Sequence, residues 1–208
     1  MKQIIIAAAL LLSTSAFAGL TGTELSLRTL AQATSSSTPF TTSFERTVVV
    51  GSTVEYPNVE SLFNPATGVP PGFAHSLVNT AIDVGDDYVE IDFDNAGFHT
   101  FASGFENTYV FRFDSAAIVD IKGAEIDSAV TTLGLRPSDV RFSGNELFIN
   151  VESLPFNPST FARVNLVVQG GPLPIPEPET YAMFLAGLGL MGLMVRRKQI
   201  KAWQGKKV

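Results

Sequence analysis

Between positions 83 and 95 the chain concentrates its most reactive-looking side chains: Asp83, Asp86, Asp87, Glu90, Asp92, Asp94 and Asn95. Hard oxygen ligands of this kind suit calcium, which takes about 6–8 of them. The order does not match a calcium loop, because Asp92-Phe93-Asp94-Asn95-Ala96-Gly97 lacks the third alternating ligand and the later glutamate. The competing reading is structural. Glu90, Asp92 and Asp94 form the wet side of a strand, and Asp86 and Asp87 follow Gly85 in a turn, where aspartate bonds nearby backbone. If calcium is held, the candidate ligands are Asp83, Asp86 and Asp87; no other cofactor is expected.

Other chemistries find less support. A glycosidase needs two carboxylates facing each other across a cleft, and the many acids here offer no way to choose a pair. His75 and His99 are the two histidines. No serine sits in a Gly-x-Ser-x-Gly elbow and no His-x-x-x-His pair suggests zinc. No enzyme is expected. Tyr56, Tyr88 and Tyr109 are the candidates for stacking on a sugar, because amphipathic rings tolerate a wet site. The phenylalanines, among them Phe98, Phe101, Phe105, Phe111, Phe113, Phe142, Phe148, Phe156 and Phe161, are expected mostly in the core.

Strands must position all of these. Val89, Ile91 and Phe93 alternate with Glu90, Asp92 and Asp94, the period-two signature of a half-buried strand. Leu147, Ile149 and Val151 repeat the pattern, as do Val164, Leu166 and Val168; Leu25 with Leu27, and Tyr109 to Phe113, add two more. Ser143-Gly144-Asn145 makes Val140 to Val151 a hairpin. Val48 to Val50, Gly51-Ser52 and Val54 to Tyr56 read as another. Pro137-Ser138-Asp139 opens one helical turn, whereas Val130, Thr131 and Thr132 argue against a helix over 127–133. Turn residues recur about every ten positions, which predicts an all-β fold: a single antiparallel β-sandwich or jelly-roll domain over 19–171.

The chain carries a net charge of −6, but its distribution is uneven. Residues 19–171 hold seven basic and eighteen acidic side chains, a formal charge of −11. Such a surface repels nucleic acid and anionic headgroups. Cysteine is absent, so neither disulfides nor thiolate chemistry contributes.

Both ends read as sorting signals. Lys2, the apolar run Ile4 to Leu12 and Ala16-Phe17-Ala18 form a secretory signal peptide over 1–18, with Ala16 and Ala18 marking the signal peptidase site. At the other end, Pro176-Glu177-Pro178 lies in a stiff proline-rich linker over 172–179. The uncharged segment 180–195 follows, about 24 Å long as a helix, and then Arg196-Arg197-Lys198. That length spans a bilayer when the basic residues snorkel and the membrane thins. The basic tail 196–208 stays cytoplasmic by the positive-inside rule. This three-part order resembles the PEP-CTERM sorting signal of exopolysaccharide-producing Gram-negative bacteria, carried here by Pro176, Glu177, Pro178, the apolar helix, Arg196 and Arg197. The resemblance implies export, a transient inner-membrane anchor, and recognition and processing by a membrane exosortase. It further implies delivery to the cell surface or beyond it, but no activity for the domain. The two sorting signals and the lack of a catalytic constellation point to a structural or adhesive role at the surface or in the exopolysaccharide matrix. A carbohydrate-binding module, calcium-assisted or not, and a polysaccharide hydrolase are the alternatives. One departure from the pattern is the basic extension after Arg197.

Overall fold

The alternating segments form strands in the computed structural model, which describes residues 19–67, 69, 73–114, 120–169 and 187. Twelve strands follow in order: β1 (Glu24–Gln32), β2 (Phe40–Thr41), β3 (Arg46–Val49), β4 (Ala81–Val84), β5 (Tyr88–Asp92), β6 (His99–Thr100), β7 (Glu106–Asp114), β8 (Asp120–Ile126), β9 (Val140–Ser143), β10 (Glu146–Asn150), β11 (Pro155–Phe156) and β12 (Phe161–Gln169). The fold is all-β, and among the described residues each strand pairing is antiparallel. One sheet runs β1-β7-β10-β9, with β2 and β3 sharing the outer edge of β1. A second runs β4-β5-β12-β8, and β6 with β11 makes a short ribbon. The chain separates into two compact units, Met1–Pro172 and Leu173–Val208. Of the second only Gly187 is described, and it is helical.

Both main sheets turn an apolar row into one shared core. Leu25, Leu27, Phe111, Phe113, Leu147 and Ile149 come from the first; Ile82, Val84, Val89, Ile91, Val164 and Leu166 come from the second. The period of two puts charge on the opposite faces. There Arg28 pairs with Glu146 at 2.8 Å, Arg141 with Glu106 at 2.5 Å, and Arg163 with Glu90. Arg141 also lies over the Phe148 ring, 4.4 Å from its centroid. That contact explains why a phenylalanine interrupts the polar side of β10.

The expected 140–151 hairpin is present as β9 and β10, with Gly144 at φ 63°. This is the first central position of a two-residue turn, where a II′ geometry reserves glycine. Pro137–Asp139 forms the single 3-10 turn its proline announces. The hairpin expected over Val48 to Tyr56 does not form. β3 pairs with β1 instead, and the chain after Gly51 crosses to the second sheet, where Tyr56 bridges Ile82. Two apolar runs flanking Gly-Ser satisfy the local hairpin pattern, but each run finds a better partner elsewhere.

Tyr56 fastens the two sheets together. Its backbone pairs with Ile82 of β4, and its hydroxyl lies 2.9 Å from both the Leu25 and the Arg46 carbonyl oxygens, donating toward that pair across β1 and β3. Burial raises its pKa, and burial also pushes the Tyr109 hydroxyl from the ordinary 10.0 up to about 12. Both groups therefore favour the protonated folded state. Their stabilisation is complete below pH 10, the unfolded value. It is lost as pH rises through the Tyr109 value of about 12, because the unfolded chain ionises first. Urea midpoints measured from pH 8 upward should hold steady to about pH 10 and then fall. In Tyr109→Phe the part of the fall belonging to that hydroxyl should disappear; an unchanged profile would remove Tyr109 from the account.

Candidate functional site

The inward rows of β1 and β7 change character along their length. Paired across the sheet, they read Leu25 with Phe113, Leu27 with Phe111, Thr29 with Tyr109 and Ala31 with Asn107. Aliphatic and aromatic bulk at one end gives way to hydroxyl, methyl and amide groups at the other. Small and polar side chains cannot fill the space between sheets about 10 Å apart. A cavity of about 460 Å³ lies at that end.

The segment 73–79 forms another part of its wall, contributing Phe73, Ser76, Leu77, Val78 and Asn79; Glu60, His99, Phe101 and Phe156 also line it. Phe101 packs on Phe156 at 4.7 Å between centroids and meets Tyr109 edge-on at 6.4 Å. Phe93 backs the cluster, 5.5 Å from Phe156. Phe73 stands edge-on to Phe40 at 5.5 Å. Gly104 permits that placement: a Cβ there would come within 2.7 Å of the Gln32 carbonyl oxygen and 3.0 Å of Phe73.

The polar lining is almost uncharged. Thr29, Thr42, Ser76, Asn79, Asn95, Thr100 and Asn107 supply hydroxyls and amides, and Glu60 is the one carboxylate among the described lining residues. Thr29 and Thr42 satisfy each other at 2.6 Å. The buried Asn79 Oδ1 has no hydrogen-bond partner, an expensive condition for an amide oxygen away from water.

The residues expected from sequence fare differently. Tyr56 and Tyr109 are 1% and 4% exposed, so as a wet stacking platform both are corrected to core residues, although an edge of Tyr109 reaches the cavity. Burial of a tyrosine is as ordinary as its use on a surface, and the Tyr56 hydroxyl finds carbonyl partners in the core. Tyr88 is half-buried, with the Arg163 guanidinium 4.6 Å over its ring. Burial and the Asp83 charge raise its pKa. Asp83, Asp86 and Asp87 are not brought together as ligands. Asp83 accepts from the Tyr88 hydroxyl, Asp86 Oδ1 accepts from the Thr21 amide at 3.1 Å, and the Asp87 carbonyl serves Leu166. Among the described residues no group of three His, Asp or Glu side chains could hold a metal. Each aspartate thus bonds a different partner, and two of the three partners lie outside the 81–92 hairpin. Of the phenylalanines, Phe98, Phe105 and Phe142 are exposed rather than core, Phe98 by 79%. His75 is exposed and lies off the cavity lining, whereas His99 is part of it.

Sequence reasoning missed Asn79, Asn107 and Phe73. The available signal was the interruption of two inward rows, Thr29 after Leu25 and Leu27, and Asn107 before Tyr109, Phe111 and Phe113. Reading it requires knowing that β1 and β7 are neighbours.

Ala16, Ala18, Pro176, Glu177, Pro178, Arg196 and Arg197 lie outside the described residues, as does the 180–195 segment except Gly187. Among the described residues no helix is long and apolar enough to cross a membrane. The family model of the PEP-CTERM protein-sorting motif matches residues 174–198. That motif implies an exported protein sorted by an exosortase, with a C-terminal membrane anchor before processing. No curated protein and no solved structure matches the chain.

Proposed function

We propose that this chain is a non-enzymatic surface or extracellular-matrix protein whose body, a β-sandwich, acts structurally or adhesively once an exosortase has processed the tail. The observation that carries the reading is the sorting motif at 174–198. A secretory leader over 1–18, cut by signal peptidase, supports it from the other end. The anionic body suits a hydrated neutral polymer such as an exopolysaccharide better than nucleic acid or anionic lipid. In this scheme the apolar segment 180–195 holds the precursor in the inner membrane, and Pro176-Glu177-Pro178 presents the processing site just outside it.

Intact mass spectrometry of the protein from its native host tests the scheme. A product starting at Gly19 and ending near Pro178, in surface or medium fractions, is the expected result. A membrane product that retains 181–208 would replace it with a stable single-pass anchor.

A second reading, a carbohydrate-binding module, is favoured by the cavity beside β1 and β7, whose described lining carries a single carboxylate. A hydrolase has less behind it: two opposed carboxylates are required, and the cavity offers Glu60 alone among its described lining residues.

A further inference from the structure

We propose that the cavity framed by β1, β7 and the segment 73–79 binds one neutral, hydroxyl-rich ring, such as a terminal or side-branch sugar of a glycan. This deepens the adhesive reading by naming the site and ligand class, and it rests on that reading only for the polymer's presence.

Four features fix the class. The volume, about 460 Å³, falls within the roughly 300–1,000 Å³ of small-molecule sites. The walls combine apolar rings with a few convergent polar groups, the composition such sites share. Phe73 is the half-buried ring among them, on the segment that frames the cavity. It can meet the C–H face of a sugar while hydroxyls and amides meet its edge.

The third feature is the pair of lining amides, Asn79 and Asn107. Each amide side chain offers a carbonyl acceptor and NH₂ donors. A hydroxyl both donates and accepts and can meet either group, whereas an ionised carboxylate only accepts. The fourth is charge: Glu60 in the lining, within a body of formal charge −11, opposes an anionic ligand. A neutral polyol ring meets all four conditions. Asn107, inward on β7 opposite Ala31, is placed to take a second hydroxyl.

The test is saturation-transfer NMR and calorimetry on the purified exported protein. The probes are glucose, galactose, mannose and N-acetylglucosamine, with glucuronate as the anionic comparison. At least one neutral sugar should bind and glucuronate should not. Asn79→Ala should weaken binding about tenfold or more, the loss of one good hydrogen bond of about 1.4 kcal/mol, while its melting temperature stays at the parent value, since that oxygen bonds nothing in the fold. Asn107→Ala, on a different element, should weaken binding in the same direction and covers the case in which Asn79→Ala does not fold.

Absence of binding by every neutral sugar at about 10 mM, beyond the millimolar range, would overturn the proposal. Unchanged affinity in both variants would move the site elsewhere and overturn it as stated; equal binding of glucuronate would overturn the ligand class. None of these outcomes alters the mass of the mature chain, so failure here and failure of the sorting scheme are separately visible.

Discussion

Glu55→Ala is expected to destabilise the body by about 3–5 kcal/mol, a large share of the ~5–15 kcal/mol that holds a domain folded. The side chain is only 7% exposed. Its Oε2 accepts from the Val84 amide and its Oε1 from the Gly51 amide, both at 2.8 Å. Val84 ends β4, the edge strand of the second sheet. Along that edge Tyr56 pairs with Ile82, and the Val59 amide bonds the Thr80 carbonyl. Where the backbone leaves the edge, the Glu55 carboxylate supplies the missing acceptor. Truncation strands the buried Val84 N–H and the partly buried Gly51 N–H at about 1–3 kcal/mol each, and loses packed methylenes at ~0.8 kcal/mol apiece. An exposed strand edge also invites pairing with a second chain. Urea denaturation of parent and variant measures the difference. Glu55→Gln should recover only part, since its amide NH₂ would face one of the two N–H donors. A loss below about 1 kcal/mol for Glu55→Ala would mean that water replaces the carboxylate.

Glu177→Ala is the second large effect, because it acts on destination. Glu177 is the one charged side chain in Pro176-Glu177-Pro178, within the matched motif at 174–198. Its loss should leave the precursor unprocessed and membrane-bound, with mature protein vanishing from surface and medium fractions. Immunoblots of fractionated cells resolve the two forms by size. Glu179→Ala, one residue beyond the motif's second proline, serves as the control for a general charge effect and should process normally. Normal release of Glu177→Ala would sink the exosortase assignment.

Pro176-Glu177-Pro178, the uncharged run and Arg196-Arg197 act through their order along the chain. A linear motif is defined by residue order alone, so the sequence carried it whole, and the family model matches it at 174–198. Strand periodicity was equally legible at β5, β10 and β12, because the period of two follows from backbone geometry alone. The Ser143-Gly144-Asn145 turn belongs with these, since glycine's tolerance of positive φ is a local property.

Partnership between distant segments was not legible. Val48 to Tyr56 carries a sound hairpin pattern, yet β3 lies on β1 and Tyr56 lies on β4. Pairing is decided by which edges the whole sheet leaves open. Tyr56 and Tyr109 show the same limit at the level of one side chain: a tyrosine suits a core with a carbonyl at hand as well as a wet platform. For Tyr56 the Leu25 and Arg46 carbonyl oxygens, more than ten residues apart from one another in sequence, decided between them.

The sequence by itself determined the C-terminal sorting motif, the strand periods and the acidic charge of the body, because each depends on residue order or backbone geometry over a few neighbours. Tertiary structure alone decided that Glu55 closes a sheet edge and that the Asp83 and Asp86 carboxylates go to the Tyr88 hydroxyl and the Thr21 amide. It alone set Thr29, Asn79, Asn107 and Phe73 around one cavity. Those residues come from β1, β7 and the connection before β4, and nothing but long-range strand pairing brings them within reach of one ligand.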